Sequence, residues 1–287
     1  MRRTSTILCW IWLAAWQYCH ATSSAMIVRK PTQTAISSRL PFSPAIVRQT
    51  YAEHCFSVCL YREQEFSTRF PNRDFKKRYL DTIPAIKDFT ARHNFALNIF
   101  VDPAMLETAI SFDVGSVYVV TEPRLFPFSQ HIYRYYSALL PAHPTIRAYH
   151  FRGLDNVVIG DQELSLLRHF VSTGAELMHA PYLRAAGSLY TPVRGTCSIA
   201  GSAIESLAGF LATTPNPMPE DSKGIWHNDE IYLGRWFERV KDTLFLYTII
   251  DREMPVEYHM HFANQIRHGR PFHIARLDRS TFTRPSK

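Results

Sequence analysis

An Asp–Asn pair follows a short run with β-branched and aromatic residues near the middle of the chain. The run is Ile146–Phe151, and it leads through Arg152 and Gly153 to Asp155 and Asn156. In α/β proteins, a buried strand that ends on an acid and precedes a capped helix presents that acid at the carboxyl edge of the sheet. Divalent cations such as Mg²⁺ prefer oxygen ligands. Asp155, with Asn156 as a second oxygen donor, is therefore a candidate metal site. The alternative is that both residues only form a turn, which Asp and Asn also favour.

Two further acids stand at the start of a helix predicted late in the chain. Asp229 and Glu230 follow the sequence Trp-His-Asn and precede an apolar periodic segment. A carboxylate in hydrogen-bond reach of a hydroxyl nucleophile can accept its proton as a bond to a leaving group breaks. Acids are equally favoured at a helix N-terminus by capping and by the helix dipole. The sequence leaves both interpretations open.

Cationic and aromatic side chains supply the groups that an anionic, ring-containing ligand needs. Arg134 and Arg152 carry guanidinium forks, which match phosphate oxygens. Tyr61 and Arg62 follow the first strongly apolar run, and Tyr61 could stack on a base. The alternatives are a solvated helix face for Arg134 and ordinary packing for Tyr61.

Alternating strand and helix patterns are predicted to position these residues. This alternation predicts an α/β fold with a mostly parallel sheet and flanking helices. The predicted strands are 55–61, 95–101, 116–121, 146–151, 176–180 and 243–251, the last with the tail of a helix as its alternative. The predicted helices are 79–94, 105–110, 128–140, 161–173, 202–212 and 226–239. Residues 181–201 are predicted to be loop, and residues 255–287 to be surface wrap.

The chain has 287 residues, 46% of them hydrophobic, and a formal charge of +7. This composition is globular, and the scattered positive charge suits a small anionic ligand or an anionic surface. No basic stripe with interleaved aromatics is present, so we do not expect nucleic acid as a partner. Cys55 and Cys59 lie about 13 Å apart if they share a strand, too far for a disulfide. Cys197 could pair with one of them.

The N-terminus reads as a targeting segment. Residues 1–25 contain a basic start, the continuous apolar run Ile7–Trp16 and small residues after it. This pattern predicts a secretory signal peptide, with an uncleaved signal anchor as the second interpretation and a buried helix as the third. We therefore expect a secreted protein or one of the secretory pathway, with membrane anchoring possible through this segment. Residues 26–50 are predicted to be a linker, 51–275 the folded domain and 276–287 a basic tail.

Four segments resemble one family in their order and spacing. The chain resembles the GT-A-type nucleotide-sugar glycosyltransferases, in particular a divergent group with an Arg-Asp-x-Asp-Ser-type metal motif, over roughly residues 54–275. The segments are SVCLYREQ (57–64), IYRYYSALLPAHPTIRAYHFRGLDN (132–156), DQELSLLRHFVSTGAELMHAPY (161–182) and WHNDEIYLGRWF (226–237). Each is weak alone, and their order carries the resemblance.

The resemblance implies a GT-A-like, Rossmann-like fold and transfer of a sugar from a nucleotide diphosphate sugar to a glycan or protein acceptor. It implies Mn²⁺ or Mg²⁺ at Asp155 and Asn156, and Asp229 or Glu230 as the base or acceptor-positioning residue. The chain departs from the motif, because Gly153 replaces its first acid and Asn156 its Ser. The alternative is therefore a catalytically inactive binding or structural protein that keeps the fold.

Overall fold

The structure is a computed structural model of the whole chain. It describes residues 40–61, 81–121, 129–180, 182–183, 190–191, 196–214, 228–250 and 272–276. Arg62 and the predicted signal segment lie outside the described residues, as do the predicted linker up to residue 39 and the tail from residue 277. The predictions made for these parts stay predictions.

The described chain alternates strands and helices. In order these are β1 (Phe42–Ile46), β2 (His54–Leu60), α1 (Ile83–His93), β3 (Phe95–Val101), α2 (Leu106–Ser111), β4 (Ser116–Val120), a 3₁₀ helix (Ser129–Leu139), β5 (Ala148–Phe151), α3 (Asp161–Ser172), β6 (Leu177–His179), β7 (Tyr182–Leu183), β8 (Tyr190–Thr191), β9 (Ser198–Ala200), α4 (Ser202–Thr213), α5 (Asn228–Val240), β10 (Leu246–Ile250) and β11 (Phe272–Arg276). Shorter 3₁₀ turns cover Pro103–Met105 and Leu154–Asn156.

Nine of these strands form one sheet, in the order β1-β4-β3-β2-β5-β9-β6-β10-β11. Only β1 and β9 run antiparallel to their neighbours. Every residue of β2 and of β3 is buried, as expected for parallel strands that are covered on both faces. The prediction of an α/β fold with a mostly parallel, Rossmann-like sheet is confirmed.

Helices cover the two faces of the sheet. On one face α1, α2 and α3 pack against alternate residues of the central strands, such as Phe56 and Ile99. On the other face the long 3₁₀ helix, α4 and α5 pack against the residues between them, such as Cys55 and Phe100. The helix predicted from residue 161 is observed as α3, and Leu164, Leu167, Phe170 and Val171 form its buried side.

The segment predicted as an aromatic-rich helix over 128–140 is a 3₁₀ helix of eleven residues, Ser129–Leu139. This length is unusual for a 3₁₀ helix. Side chains bond its backbone carbonyls: Arg134 Nε donates to the His131 carbonyl, and the Ser57 hydroxyl donates to the Arg134 carbonyl. These bonds compete with regular α-helical pairing of the same carbonyls. Residues 132–138 of this helix are all buried.

Five described strands lie where the sequence predicted none: β7 and β8, which pair with each other within the predicted loop, and three strands of the large sheet. Part of the predicted linker forms β1, whose Phe42 packs against Phe100 and Tyr118. Pro44 fits there because β1 is an edge strand and needs fewer backbone donors. Part of the predicted loop 181–201 forms β9, between β5 and β6 in the sheet. Part of the predicted surface wrap forms β11, which pairs in parallel with β10.

The described cysteines form no disulfide with one another. Cys55, Cys59 and Cys197 are buried free thiols, so the pairing considered for Cys197 does not form. Burial is the main cause that raises the pKa of Cys59 to about 11 and that of Cys197 to about 12.

Among the described residues, no helix has the length and apolar character needed to cross a bilayer.

Candidate functional site

The strand order places a topological switch point between β2 and β5. From β2 the chain moves outward through β3 to β4, and it then returns to the other side of β2 as β5. In open α/β sheets, ligands bind outside the carboxyl ends of the strands at such a point. Tyr61 follows the end of β2, and Arg152 follows the end of β5. Both predicted ligand-binding residues therefore flank the switch point.

A buried ion pair lies on the 3₁₀-helix side of the sheet. Arg134 Nη2 is 3.2 Å from Asp229 Oδ2, with side-chain exposures of 8% and 5%. The Tyr135 hydroxyl donates to the same carboxylate oxygen over 3.2 Å. This pair fixes the start of α5 against the 3₁₀ helix, because a buried charge needs a partner that replaces water. The structure thus brings together Arg134 and Asp229, which the sequence analysis selected separately.

His131 joins this ion pair to Tyr61. Arg134 Nη2 donates to His131 Nδ1 over 3.1 Å, and His131 Nε2 lies 2.5 Å from the Tyr61 hydroxyl. Because a guanidinium can only donate, Nδ1 is the acceptor and the imidazole proton sits on Nε2. Burial lowers the pKa of His131 to about 4, and the Arg134 charge adds to this effect while Asp229 opposes it. His131 is therefore neutral at pH 7.

Arg152 forms a second ion pair, on the other side of the switch point. Its Nη1 lies 2.5 Å from Glu163 Oε1 in the first turn of α3, with side-chain exposures of 10% and 14%. Arg152 Nε is buried and has no hydrogen-bond partner among the described residues. A buried donor without a partner is costly, so this N–H keeps a hydrogen-bonding capacity that no described residue uses.

The charges of both arginines act on Cys197, which precedes β9. Arg134 and Arg152 both lower the pKa of its thiol, and Asp229 raises it, against the larger effect of burial. The Cys197 carbonyl accepts a bond from the Phe151 backbone over 2.8 Å. Arg134, Arg152 and Asp229 therefore all lie near enough to act electrostatically on Cys197. Since burial raises the pKa of this thiol, Cys197 is not a nucleophile.

The other predicted site residues are less well defined. Asp155 lies in the short 3₁₀ turn after β5, but its side chain lies outside what the structure describes. Asn156 is exposed, and its backbone N–H bonds the Gly153 carbonyl over 2.9 Å. Glu230 is partly buried at the start of α5. The roles predicted for these three residues stay predictions.

The described residues do not fit a metal held by the protein alone. Within them, no group of three or more His, Cys, Asp or Glu side chains could hold an ion. Asp229 and Glu163, two of the described acids beside the switch point, are each engaged by an arginine. The donor set described here is suited to an anion, and we derive no step through a cation.

Sequence reasoning missed His131, Tyr135, Glu163 and Ser57, which hold the predicted residues in place. His131 and Arg134 are three residues apart on a predicted helix, a spacing that puts them side by side. Glu163 lies in the first turn of α3, where the helix dipole favours an acid whatever its function. No local pattern indicates Ser57, whose hydroxyl lies inside β2 and accepts a 2.7 Å hydrogen bond from Ser137.

Comparison with known proteins gives only weak likenesses. No family model and no curated protein matches the chain. The solved structures similar to it include Rv0371c from Mycobacterium tuberculosis H37Rv (13% identity, TM-score 0.39, covering 76% of this chain and 100% of that one). They also include a 4-diphosphocytidyl-2C-methyl-D-erythritol synthase from Anaerococcus prevotii (9% identity, TM-score 0.40, 76% and 96%). A third is a CMP:2-keto-3-deoxy-manno-octonic acid synthetase complexed with CTP (10% identity, TM-score 0.39, 76% and 99%).

Rv0371c has also been solved as a complex with manganese, and that structure is similar to this chain at 16% identity and a TM-score of 0.37. All of these TM-scores are below 0.5. The fold assignment above therefore rests on the strand order of this chain, and the site on its own geometry.

Proposed function

We propose that the chain binds a nucleotide diphosphate sugar at the carboxyl edge between β2 and β5 and transfers the sugar to a glycan or protein acceptor. The observation that carries the proposal is the pair of buried arginines, Arg134 and Arg152, one on each side of the switch point of a parallel sheet. Buried guanidinium groups at the carboxyl ends of strands are suited to bind a diphosphate. The GT-A-like resemblance of the sequence supports the sugar-nucleotide class.

The two arginines have different roles in this proposal. Arg152 binds the diphosphate, because its buried Nε–H has no partner among the described residues. Arg134 is a positioning residue, because Asp229 and His131 already engage its guanidinium. Tyr61 lines the base-binding side, held by His131. The two arginines are assigned different roles because the described residues already bond the guanidinium of Arg134 but leave the Nε–H of Arg152 without a partner.

The proton-accepting role goes to Glu230, and Asp229 positions it. Asp229 is 3% exposed and is held by both Arg134 and Tyr135, so a proton transferred to it would break an ion pair. Glu230 follows it at the start of α5 and is less buried. In the proposed reaction the acceptor oxygen bonds to the anomeric carbon, the bond from that carbon to the diphosphate breaks, and the hydroxyl proton moves to the Glu230 carboxylate.

A second candidate function is binding without transfer. It is favoured by Gly153, which stands where the related motif has an acid, and by the neutralisation of Asp229 and Glu163 by arginines. A protein of this kind would bind the nucleotide sugar and release no nucleotide.

Binding and transfer can be separated in one experiment. Thermal stability is measured with UDP- and GDP-sugars, each with and without Mn²⁺, and nucleotide release is followed in parallel. A ligand at ten times its Kd should raise Tm by about 3 °C. Stabilisation with nucleotide release supports the transferase, and stabilisation alone supports the second candidate. No stabilisation by any of them at millimolar concentration contradicts both.

Matched variants assign the effect to the site. Arg152→Lys keeps the charge next to Glu163 but removes the planar fork, and it should abolish most of the stabilisation by nucleotide. Arg168→Lys changes an exposed arginine on α3 and should leave the stabilisation unchanged. Equal losses in the two variants would contradict the role given to Arg152.

We also propose that the protein enters the secretory pathway through residues 1–25. The support is the pattern of basic, apolar and small residues in that segment. N-terminal sequencing of the protein secreted by a eukaryotic host should begin between residues 22 and 26 if the signal is cleaved. Retention of the entire chain in the cytosol would contradict the proposed address.

A further inference from the structure

A cavity of about 610 Å³ lies at the opposite end of the strands from the site above. Its floor is the amino-terminal part of β3, β4 and β5, on the face that the 3₁₀ helix covers. Two connecting segments form its walls, residues 47–50 after β1 and residues 140–143 after the 3₁₀ helix. This volume is in the range of small-molecule binding sites, about 300–1,000 Å³.

Two polar groups of the floor have no partner among the described residues. Tyr149 is 4% exposed, and no described residue bonds its hydroxyl. Asn98 is 6% exposed; its amide nitrogen donates to Ser137 over 3.0 Å, but no described donor bonds its amide oxygen. The floor therefore offers a hydroxyl and an amide oxygen to an occupant of the cavity.

The charged group of the cavity wall already has a partner. Arg48 lines the cavity, but its guanidinium pairs with Asp113, and its Nε donates to the Gly115 carbonyl over 3.0 Å. Lys87 also lies 3.6 Å from Asp113. The remaining polar lining is neutral hydroxyl and amide groups, apart from His143, whose Nδ1 accepts from the Thr145 backbone over 3.3 Å. An ionic ligand would lose its hydration without gaining an unengaged counter-charge.

We propose that this cavity is a second binding site, for a small uncharged aromatic molecule that carries a hydrogen-bonding group on its edge. The ring packs against the apolar lining, which includes Ala96, Leu140 and Ile146. The polar edge bonds the Tyr149 hydroxyl and the Asn98 amide oxygen. The site is independent of the nucleotide-sugar proposal, because it lies at the amino ends of the strands and shares no lining residue with the switch point.

Two fluorescent probes of one shape test the charge requirement on the full chain. N-Phenyl-1-naphthylamine is neutral and has one N–H donor, and 8-anilino-1-naphthalenesulfonate adds a sulfonate to the same skeleton. The neutral probe should bind saturably at one site per chain, and at least about tenfold more tightly than the sulfonate. No saturable binding of the neutral probe, or equal affinity for both probes, would overturn the proposal.

Three variants locate the bound probe. Ala142→Trp places a large ring at the cavity wall and should weaken binding of the neutral probe more than about tenfold. Ala212→Trp makes the same change at an exposed end of α4 and should alter the affinity less than twofold. Tyr149→Phe removes only the hydroxyl and should weaken binding about three- to tenfold, the loss of one hydrogen bond. Equal affinities for the two tryptophan variants would place the probe elsewhere and refute the assignment.

Discussion

The two ends of the parallel strands treat their polar groups differently. At the carboxyl end, Arg134 and Asp229 are buried but paired, and His131 completes the network with neutral hydrogen bonds. At the amino end, Tyr149 and Asn98 face a neutral cavity with hydrogen-bonding capacity that no described residue uses. At the carboxyl end the buried charges are stabilised by each other instead of by water. At the amino end the polar atoms are uncharged and can still form hydrogen bonds. One sheet therefore carries a charged, paired cluster at one end of its strands and, at the other, uncharged oxygen atoms that no described residue bonds.

A column of hydrogen bonds connects these two ends through the sheet. Asn98 donates to Ser137, Ser137 donates to Ser57, and the Ser57 hydroxyl donates to the Arg134 carbonyl. Ser137 and Arg134 both lie on the 3₁₀ helix, so this helix borders both regions. The variants below separate the energetic contributions of the charged end, the column and the neutral end.

The largest effect is expected at the buried ion pair. Arg134→Met leaves the Asp229 carboxylate buried without its counter-charge and should lower the free energy of unfolding by about 3–5 kcal/mol. Urea unfolding measures this. The double variant Arg134→Met/Asp229→Leu removes both charges and should recover most of the loss. Arg92→Met removes the exposed pair with Asp88 and should cost less than about 0.5 kcal/mol. Similar losses for Arg134→Met and Arg92→Met would show that the charged end contributes little.

The next effect is the pH dependence caused by His131. Its pKa in the folded protein is about 4, below the usual value of about 6.5. Below pH 6.5 the unfolded chain binds a proton that the folded chain does not, so stability falls as the pH falls towards 4. Between pH 7 and pH 5 this amounts to about 2 kcal/mol.

The variant His131→Gln isolates this contribution. Other buried histidines remain in the variant, including His150, whose pKa burial lowers and whose Nε2 lies 3.0 Å from His54 Nδ1. The parent protein should therefore lose about 2 kcal/mol more than the variant between pH 7 and pH 5. Parallel pH profiles of the two proteins would refute the neutral, buried state assigned to His131.

An intermediate effect is expected in the column. Ser57→Ala removes the donor to the Arg134 carbonyl and the acceptor for Ser137, and it should cost about 1–3 kcal/mol because both groups stay buried. Ser111→Ala removes an exposed hydroxyl on α2 that bonds the Thr108 carbonyl over 2.7 Å and should be nearly neutral. Chemical unfolding compares the two. A neutral Ser57→Ala would mean that the column does not hold the 3₁₀ helix.

The smallest effect is expected at the neutral end. Tyr149→Phe removes a hydroxyl that no described residue bonds, so the free energy of unfolding should change by less than about 0.5 kcal/mol. The same variant weakens binding of the neutral probe, which distinguishes a ligand-binding hydroxyl from a structural one. A loss of stability above about 1.5 kcal/mol would show that the hydroxyl is already hydrogen-bonded in the unliganded protein.

The sequence predicted the central elements because their patterns are strong over several residues. The run FALNIFV predicts β3 from apolar residues alone, and the periodic leucines of α3 predict a helix of the observed length. Strand β9 has only three residues, and β1 contains a proline, so neither shows a strand-like run. The 3₁₀ helix could not be distinguished from an α-helix, since its geometry depends on side chains that bond its carbonyls.

The sequence selects residues of the candidate site but not their pairing. Arg134 and Asp229 are selected separately for their chemistry, and the structure pairs them. That Arg134 pairs with an acid 95 positions later is a tertiary contact, which no local pattern encodes. The metal role of Asp155 stays a prediction, since its side chain lies outside what the structure describes.

The most direct test of the central claim is a crystal structure with a bound nucleotide diphosphate sugar. The account predicts density for the diphosphate at the carboxyl edge between β2 and β5, with one phosphate oxygen within about 3.5 Å of Arg152 Nε. Diphosphate density at a different edge of the sheet, or an Arg152 Nε without contact to the ligand, would contradict it.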